Sequence, residues 1–203
     1  SIRELMSKMG IKGKAGGVYH VPVQGFKVAN AAQLGFARKQ RRIYLIGDIE
    51  MVLTKGEVDA VIAHEFAHMK LRHILKLMLV LLVLMVAAYG VFTFLSLVLL
   101  YFFSFVFVEV SLGVVLTSII VLDYIAPFVM VYLFLFVIRR MYELEADQLA
   151  AKSTSPQDLG SALVKLAEYN LIPMRFPRVV GALMPHPPMA MTLERLRSLQ
   201  HTA

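Results

Sequence analysis

Five consecutive residues, His64-Glu65-Phe66-Ala67-His68, carry the densest chemistry in the chain. On a helix, side chains four apart lie one above the other, so both imidazoles can grip a single metal ion. Glu65 is one residue on, about 100° around the helix, where its carboxylate reaches a metal-bound water without serving as a ligand. Imidazole with carboxylate ligation suits zinc, which needs no redox chemistry. A catalytic zinc site keeps three protein ligands and leaves a fourth position for water, so a further donor must come from elsewhere. Glu143-Leu144-Glu145-Ala146-Asp147 offers a Glu and an Asp four apart on one helical face. Glu143 can ligate the ion while Asp147 orients one of the histidines from behind. Glu145 points to the opposite side of that helix and is poorly placed to ligate. Alone, this run would read as a solvated acidic cluster balancing Arg139 and Arg140; beside His64 and His68 it reads as the missing donor.

The elements that must position these groups are legible in outline. Thr54-Lys55-Gly56-Glu57 is a capping box, and it opens an amphipathic helix from Lys55 to about His73. Ahead of it, Ile2–Met9 forms a short helical pattern stopped by Gly10, and 12–17 is a glycine-punctuated loop. Val18–Val23 and Arg42–Ile46 are β-rich runs that read as strands. Between them lies Lys27–Ala37, with Asn30 and Gly35 as local breakers.

Composition sets the environment. Of 203 residues, 58% are hydrophobic and only 17% charged, with a mean hydropathy of +0.68. That excludes a disordered chain and departs from an ordinary soluble domain. With no cysteine there is no disulfide scaffold, thiolate zinc finger or cysteine nucleophile. From Leu77 to Ile138, 62 positions pass without a Lys or Arg, and only Glu109 and Asp123 are acidic. About 20 apolar residues cross a bilayer as a helix, so this run suffices for two crossings. It begins too far into the chain for a signal peptide. The first crossing reads as Leu75–Leu100, with Tyr101, Phe102 and Phe103 as an aromatic belt. The second runs from about Ile119 to Ile138, with a kink expected at Pro127 and Asp123 near an interface. Lys70, Arg72 and Lys76 precede the hairpin, and Arg139 and Arg140 follow it. The positive-inside rule therefore puts both flanks on the cytoplasmic side. The remaining basic excess fits anionic headgroups; no nucleic-acid-binding motif accompanies it.

Thr54 to Glu57 leading into Ala63 to His68, then a hydrophobic hairpin, then Glu143-x-x-Ala146-Asp147, resembles the integral-membrane zinc metalloendopeptidases of the HtpX and CAAX prenyl endopeptidase family. Asn30-Ala31-Ala32-Gln33 is similar to that family's N-A-F-A segment, an edge strand that binds substrate backbone; Asn30 and Ala31 carry over, and the aromatic does not. His186-Pro187-Pro188 matches the family's H-P-P element, where an arginine usually follows six residues after the histidine. Here that position is Thr192, and Arg195 comes three residues later.

The resemblance implies an α+β fold, a mainly helical zincin-like protease domain with a small β-sheet, interrupted by a two-helix transmembrane hairpin. The expected division is 1–74, the first part of the protease domain; 75–138, the hairpin; and 139–203, the second part. Members of the family usually carry further spans ahead of the protease domain, and Ser1 in place of an initiator methionine suggests that such spans are missing from the front. The expected site holds one Zn²⁺ on His64, His68 and Glu143, with Glu65 as general base, Asp147 and His186 in support, and polypeptide substrates laid along Asn30 and Ala31. The implied activity is hydrolysis of membrane or misfolded proteins at the cytoplasmic face of the cell membrane. Two alternatives stand beside it: a CAAX prenyl endopeptidase, and a non-catalytic membrane module whose metal is closed by His20, His73, His186 or His201. Outside that last role, His20, His73 and His201 read as surface or interface residues.

Overall fold

Glycine, proline and capping residues divide the chain into short strands and a run of helices. In the computed structural model the order is α1 (Ile2–Lys8), β1 (Val18–Val21), β2 (Ala29–Leu34), β3 (Arg42–Gly47), α2 (Ile49–Val52), α3 (Lys55–Leu71), α4 (His73–Val106), α5 (Leu112–Ile120), a π-helical turn (Val121–Ile125), α6 (Ala126–Ser153), α7 (Pro156–Tyr169) and α8 (Met189–Gln200). The structure describes residues 2–11, 17–35, 42–106, 112–177, 180–181, 184 and 187–200. These fall into two units, Ser1–Leu75 with Arg139–Ala203, and Lys76–Ile138.

In the first unit the sheet order is β1-β3-β2, with β3 parallel to β1 and antiparallel to β2. Ile43 and Leu45 of β3 are buried, with Arg42 exposed and Tyr44 half-buried between them, the alternation of a strand with one face on a core. Asn30, expected as a breaker, lies inside β2, paired with Ile46. Ladder bonds to β3 outweigh its weak strand propensity. Both β1 and β2 are edge strands.

The start of α3 is fixed by its cap. Thr54 accepts a hydrogen bond from the Glu57 backbone N–H, and the Glu57 carboxylate accepts one from the Thr54 N–H at 2.7 Å. Two orphan donors are thus satisfied reciprocally. The helix ends at Arg72, whose left-handed backbone (φ 57°) turns its N–H onto the His68 carbonyl. The expected single apolar stripe is not what forms: Ala60, Val61, Ile62, Ala63, Phe66 and Ala67 are all buried, so α3 is enclosed on most sides. Leu5 and Met9, Ile43 and Leu45, Ala146 and Ala150 of α6, Leu159 of α7 and Leu196 of α8 complete the same core. Ser155 caps α7, with Pro156 at its first position. Asn170, just after α7, clasps β2: its side chain accepts from the Ala29 N–H at 3.0 Å and donates to the Ala29 carbonyl at 2.7 Å.

In the second unit the helices run further than the apolar pattern suggests. α4 continues past Leu100 through the aromatic residues to Val106, and the second span opens at Leu112 rather than near Ile119. Asp123 accordingly lies within an apolar helical run, in the π turn, and not at its start. That turn ends two residues before Pro127, where the missing N–H and the ring disturb regular α-helical bonding. The two spans, His73–Phe105 and Gly113–Ser153, are long and apolar enough to cross a bilayer, and only 6% and 11% of their most apolar windows are buried. Core helices of a water-soluble protein would be largely covered. Ser96, Leu99 and Phe103 of α4 face Val114 and Ser118 of α5 around a small apolar gap.

Candidate metal centre

α3 and α6 bring three donors to one point. His64 Nε2 and His68 Nε2 are 3.0 Å apart, and the Glu143 carboxylate lies 3.4 Å from the first and 3.7 Å from the second. Donors 2.0–2.2 Å from one tetrahedral ion sit about 3.3–3.6 Å from one another, so this spacing fits a single small divalent cation. Among the described residues, His64, His68 and Glu143 form the group able to hold a metal. The helical repeat alone aligns the two imidazoles; Glu143 arrives from 75 positions away in the chain.

The surroundings favour a positive charge. Burial by itself would lower the proton affinity of His64, but Asp147 and Glu143 outweigh it and hold the ring well above the usual imidazole range. Asp147 approaches from behind, its Oδ1 3.0 Å from His64 Nδ1, where it favours the proton on that nitrogen and leaves Nε2 for a cation. Burial pushes the Glu65 carboxyl up, against the pull of His64 and His68; Glu143 adds to the rise, and a hydrogen bond from the Gln33 backbone N–H opposes it. A carboxylate of raised proton affinity beside a cation site is suited to taking a proton near neutral pH.

The remaining expected residues fall unevenly. β2 runs beside α3, and Asn30 and Ala31 lie within it; the Asn30 side-chain oxygen accepts from the Ala31 N–H at 2.8 Å. Thr192 is buried in α8 and Arg195 half-buried. His186 and His201 lie outside the described residues. His20 is exposed and bonds the Gly47 carbonyl at 2.9 Å.

His73 is the correction. Expected at the surface or an interface, it is 3% exposed, with Nδ1 2.8 Å from His68 Nδ1 and Nε2 3.2 Å from the Glu145 carboxylate. Glu145 stays out of the donor set, as its helical position predicts, and faces His73 instead. The signal available was a histidine five residues beyond the motif; its meaning depends on the Arg72 turn, which aims the residue back at His68. Arg140, read as a flanking charge, also donates to the carbonyls of Gly181 and Met184.

The model of Peptidase family M48 matches residues 1–203. The chain belongs to that metallopeptidase family. Two relatives described as CAAX prenyl protease 1 homolog, from Arabidopsis thaliana and Oryza sativa subsp. japonica, are each 31% identical to this M48 chain. The alignments cover 84% and 85% of the chain but 40% of each relative, so the chain spans well under half the length of the curated relatives it matches. The crystal structure of S. mikatae Ste24p superposes with a TM-score of 0.57 at 24% identity, covering 84% of this chain and 42% of that one. This likeness establishes a Ste24p-like fold, mostly helical with the small three-stranded sheet.

Proposed function

We propose that this M48 chain is the protease core of a membrane-anchored zinc endopeptidase that hydrolyses peptide bonds of membrane or misfolded proteins at the cytoplasmic face. The observation that carries it is the convergence of His64, His68 and Glu143 within 3.0–3.7 Å beside Glu65. Two imidazoles and one carboxylate are a zinc donor set, and three ligands leave a coordination position open. Closure by a fourth side chain is disfavoured by what two histidines already do. His20 is engaged with Gly47, and His73 directs its ring nitrogens at His68 and Glu145.

Bound zinc supplies a Lewis acid that acidifies water and polarises a carbonyl. Glu65 takes the proton from the attacking water on its carboxylate and delivers it to the leaving amine. Asp147 holds His64 in place. An extended substrate lies along the free edge of β2 at Asn30 and Ala31, where the Asn30 side chain gives up the Ala31 N–H to a substrate carbonyl. Backbone pairing of this kind tolerates many sequences and favours unfolded segments. His186 remains a proposed contributor to stabilising developing charge.

A second reading draws on the relatives described as CAAX prenyl protease 1 homolog: a substrate carrying a prenylated cysteine. One experiment addresses both. Glu65→Gln should retain one zinc per chain and lose roughly 10²–10⁴ in kcat on the preferred substrate. Undiminished cleavage by that variant removes Glu65 as the base. Parallel assays with an unfolded membrane protein and a prenylated peptide assign the substrate class by which shows the higher kcat/KM.

A further inference from the structure

A histidine that offers Nε2 to a cation as neutral imidazole must carry its proton on Nδ1. For His64 the neighbour at Nδ1 is Asp147. For His68 it is another imidazole, since the Nδ1 atoms of His68 and His73 lie 2.8 Å apart. Two such nitrogens share a hydrogen bond only if one ring donates and the other accepts. Glu145 decides the direction. Its carboxylate oxygen lies 3.2 Å from His73 Nε2 and accepts there, so His73 donates from Nε2 and keeps a lone pair on Nδ1. His68 then donates its Nδ1–H to His73, and its Nε2 lone pair is left facing His64 and Glu143.

The His73 ring is held for this task. It is buried, stacks on Tyr142 with centroids 4.5 Å apart and planes 6° from parallel, and meets the His68 ring edge-on at 4.9 Å. The Glu145 side chain at the outer end is 48% exposed, and the His73 ring lies between it and His68. All four residues belong to the same unit.

We propose that Glu145 and His73 form a positioning relay that sets the tautomer and orientation of His68, as Asp147 does for His64. Neither residue touches reacting atoms. The proposal rests on reading His64, His68 and Glu143 as a metal centre, and its test includes a measurement that needs no metal.

The ¹⁵N-histidine spectrum of the metal-free full chain should show His68 as the Nδ1–H tautomer. His73→Phe keeps the stack on Tyr142 but removes both ring nitrogens. In that variant His68 should become a mixture of tautomers, and zinc affinity by chelator competition should fall by about 10–100-fold. With zinc at saturation kcat should drop while KM stays within twofold. His73→Asn returns an acceptor near the Nδ1 position and should recover most of the affinity. Glu145→Gln, at a half-exposed position, should shift the same spectrum less. An unchanged His68 tautomer in both His73→Phe and Glu145→Gln overturns the relay, as does equal zinc affinity in His73→Phe. A chain that binds no zinc overturns the metal reading instead, and the spectra still decide the relay.

Discussion

Charge at single residues governs both the site and the fold around it. Glu57 is 4% exposed yet ionised: burial alone would raise its carboxyl, but Lys165, Ser161 and Thr54 outweigh it and bring it to about 2. Lys165 Nζ lies 2.7 Å from one Glu57 oxygen, so the N-terminal cap of α3 is also its tie to α7. The folded-state value is depressed, so the stabilisation is complete above the ordinary value of 4.5 and is lost as pH falls toward 2. That depression corresponds to about 3 kcal/mol at neutral pH, reduced in practice because Lys165 is partly exposed. Glu57→Gln should therefore cost about 1–3 kcal/mol at pH 7 in chemical unfolding and flatten the acid limb of the stability profile. A limb identical to the parent's would mean another carboxylate carries it. The same logic separates His64, His68 and Glu143 from Glu145. All four lie on α3 or α6, but the neighbour behind each decides what it presents forward.

At the level of elements, the site depends on where helices and strands stop. Arg72 in the left-handed region, an uncommon place for a residue with a Cβ, ends α3 and lets His73 begin α4 facing back toward His68. Gly47 does similar work at the end of β3. Its φ is 65°, and a Cβ there would run into the Val28 carbonyl oxygen, which already accepts from the Asp48 N–H at 2.8 Å. Gly47→Ala should destabilise by at least about 2 kcal/mol from strain and backbone displacement together. Because Val28 leads into β2, proteolysis between β2 and β3 should accelerate as well. Stability within 0.5 kcal/mol of the parent, on the order of an ordinary surface change, would show that this turn relaxes freely.

At the scale of the whole molecule, one chain carries both a candidate metal centre and an apolar hairpin. Leu82, Val83, Val86, Phe94 and Tyr101 are among many large side chains left exposed in Lys76–Ile138, an arrangement that lipid and not water stabilises. The absence of cysteine permits a direct test of orientation. Met51, 79% exposed on α2, and Tyr101, 75% exposed toward the far end of α4, can each be replaced by the only thiol in the protein. In sealed vesicles an impermeant thiol reagent should label Met51→Cys from the cytoplasmic face alone and should not label Tyr101→Cys from that face. Labelling of Met51→Cys from the other face would reverse the orientation drawn from Lys70, Arg72, Lys76, Arg139 and Arg140.

What could be read from the sequence alone was whatever the backbone repeats within a few residues. The capping box, the four-residue spacing of His64 and His68, the separation of Glu145 from Glu143 and the length of the apolar run all follow from helical periodicity and local composition. Helical structure opens at Leu112, ahead of Ile119, because apolarity marks what tolerates lipid, not where a helix begins. Tertiary structure decided the rest. Only packing brings Glu143 to the paired imidazoles, sets Asn30 into a strand against β3, and buries His73 between His68, Tyr142 and Glu145. Those encounters reach from 16 positions, for Asn30 and Ile46, to 75, for His68 and Glu143, and His73 meets His68 only after the chain turns at Arg72; the free energy that selects them comes from burial and hydrogen bonds that no local pattern encodes.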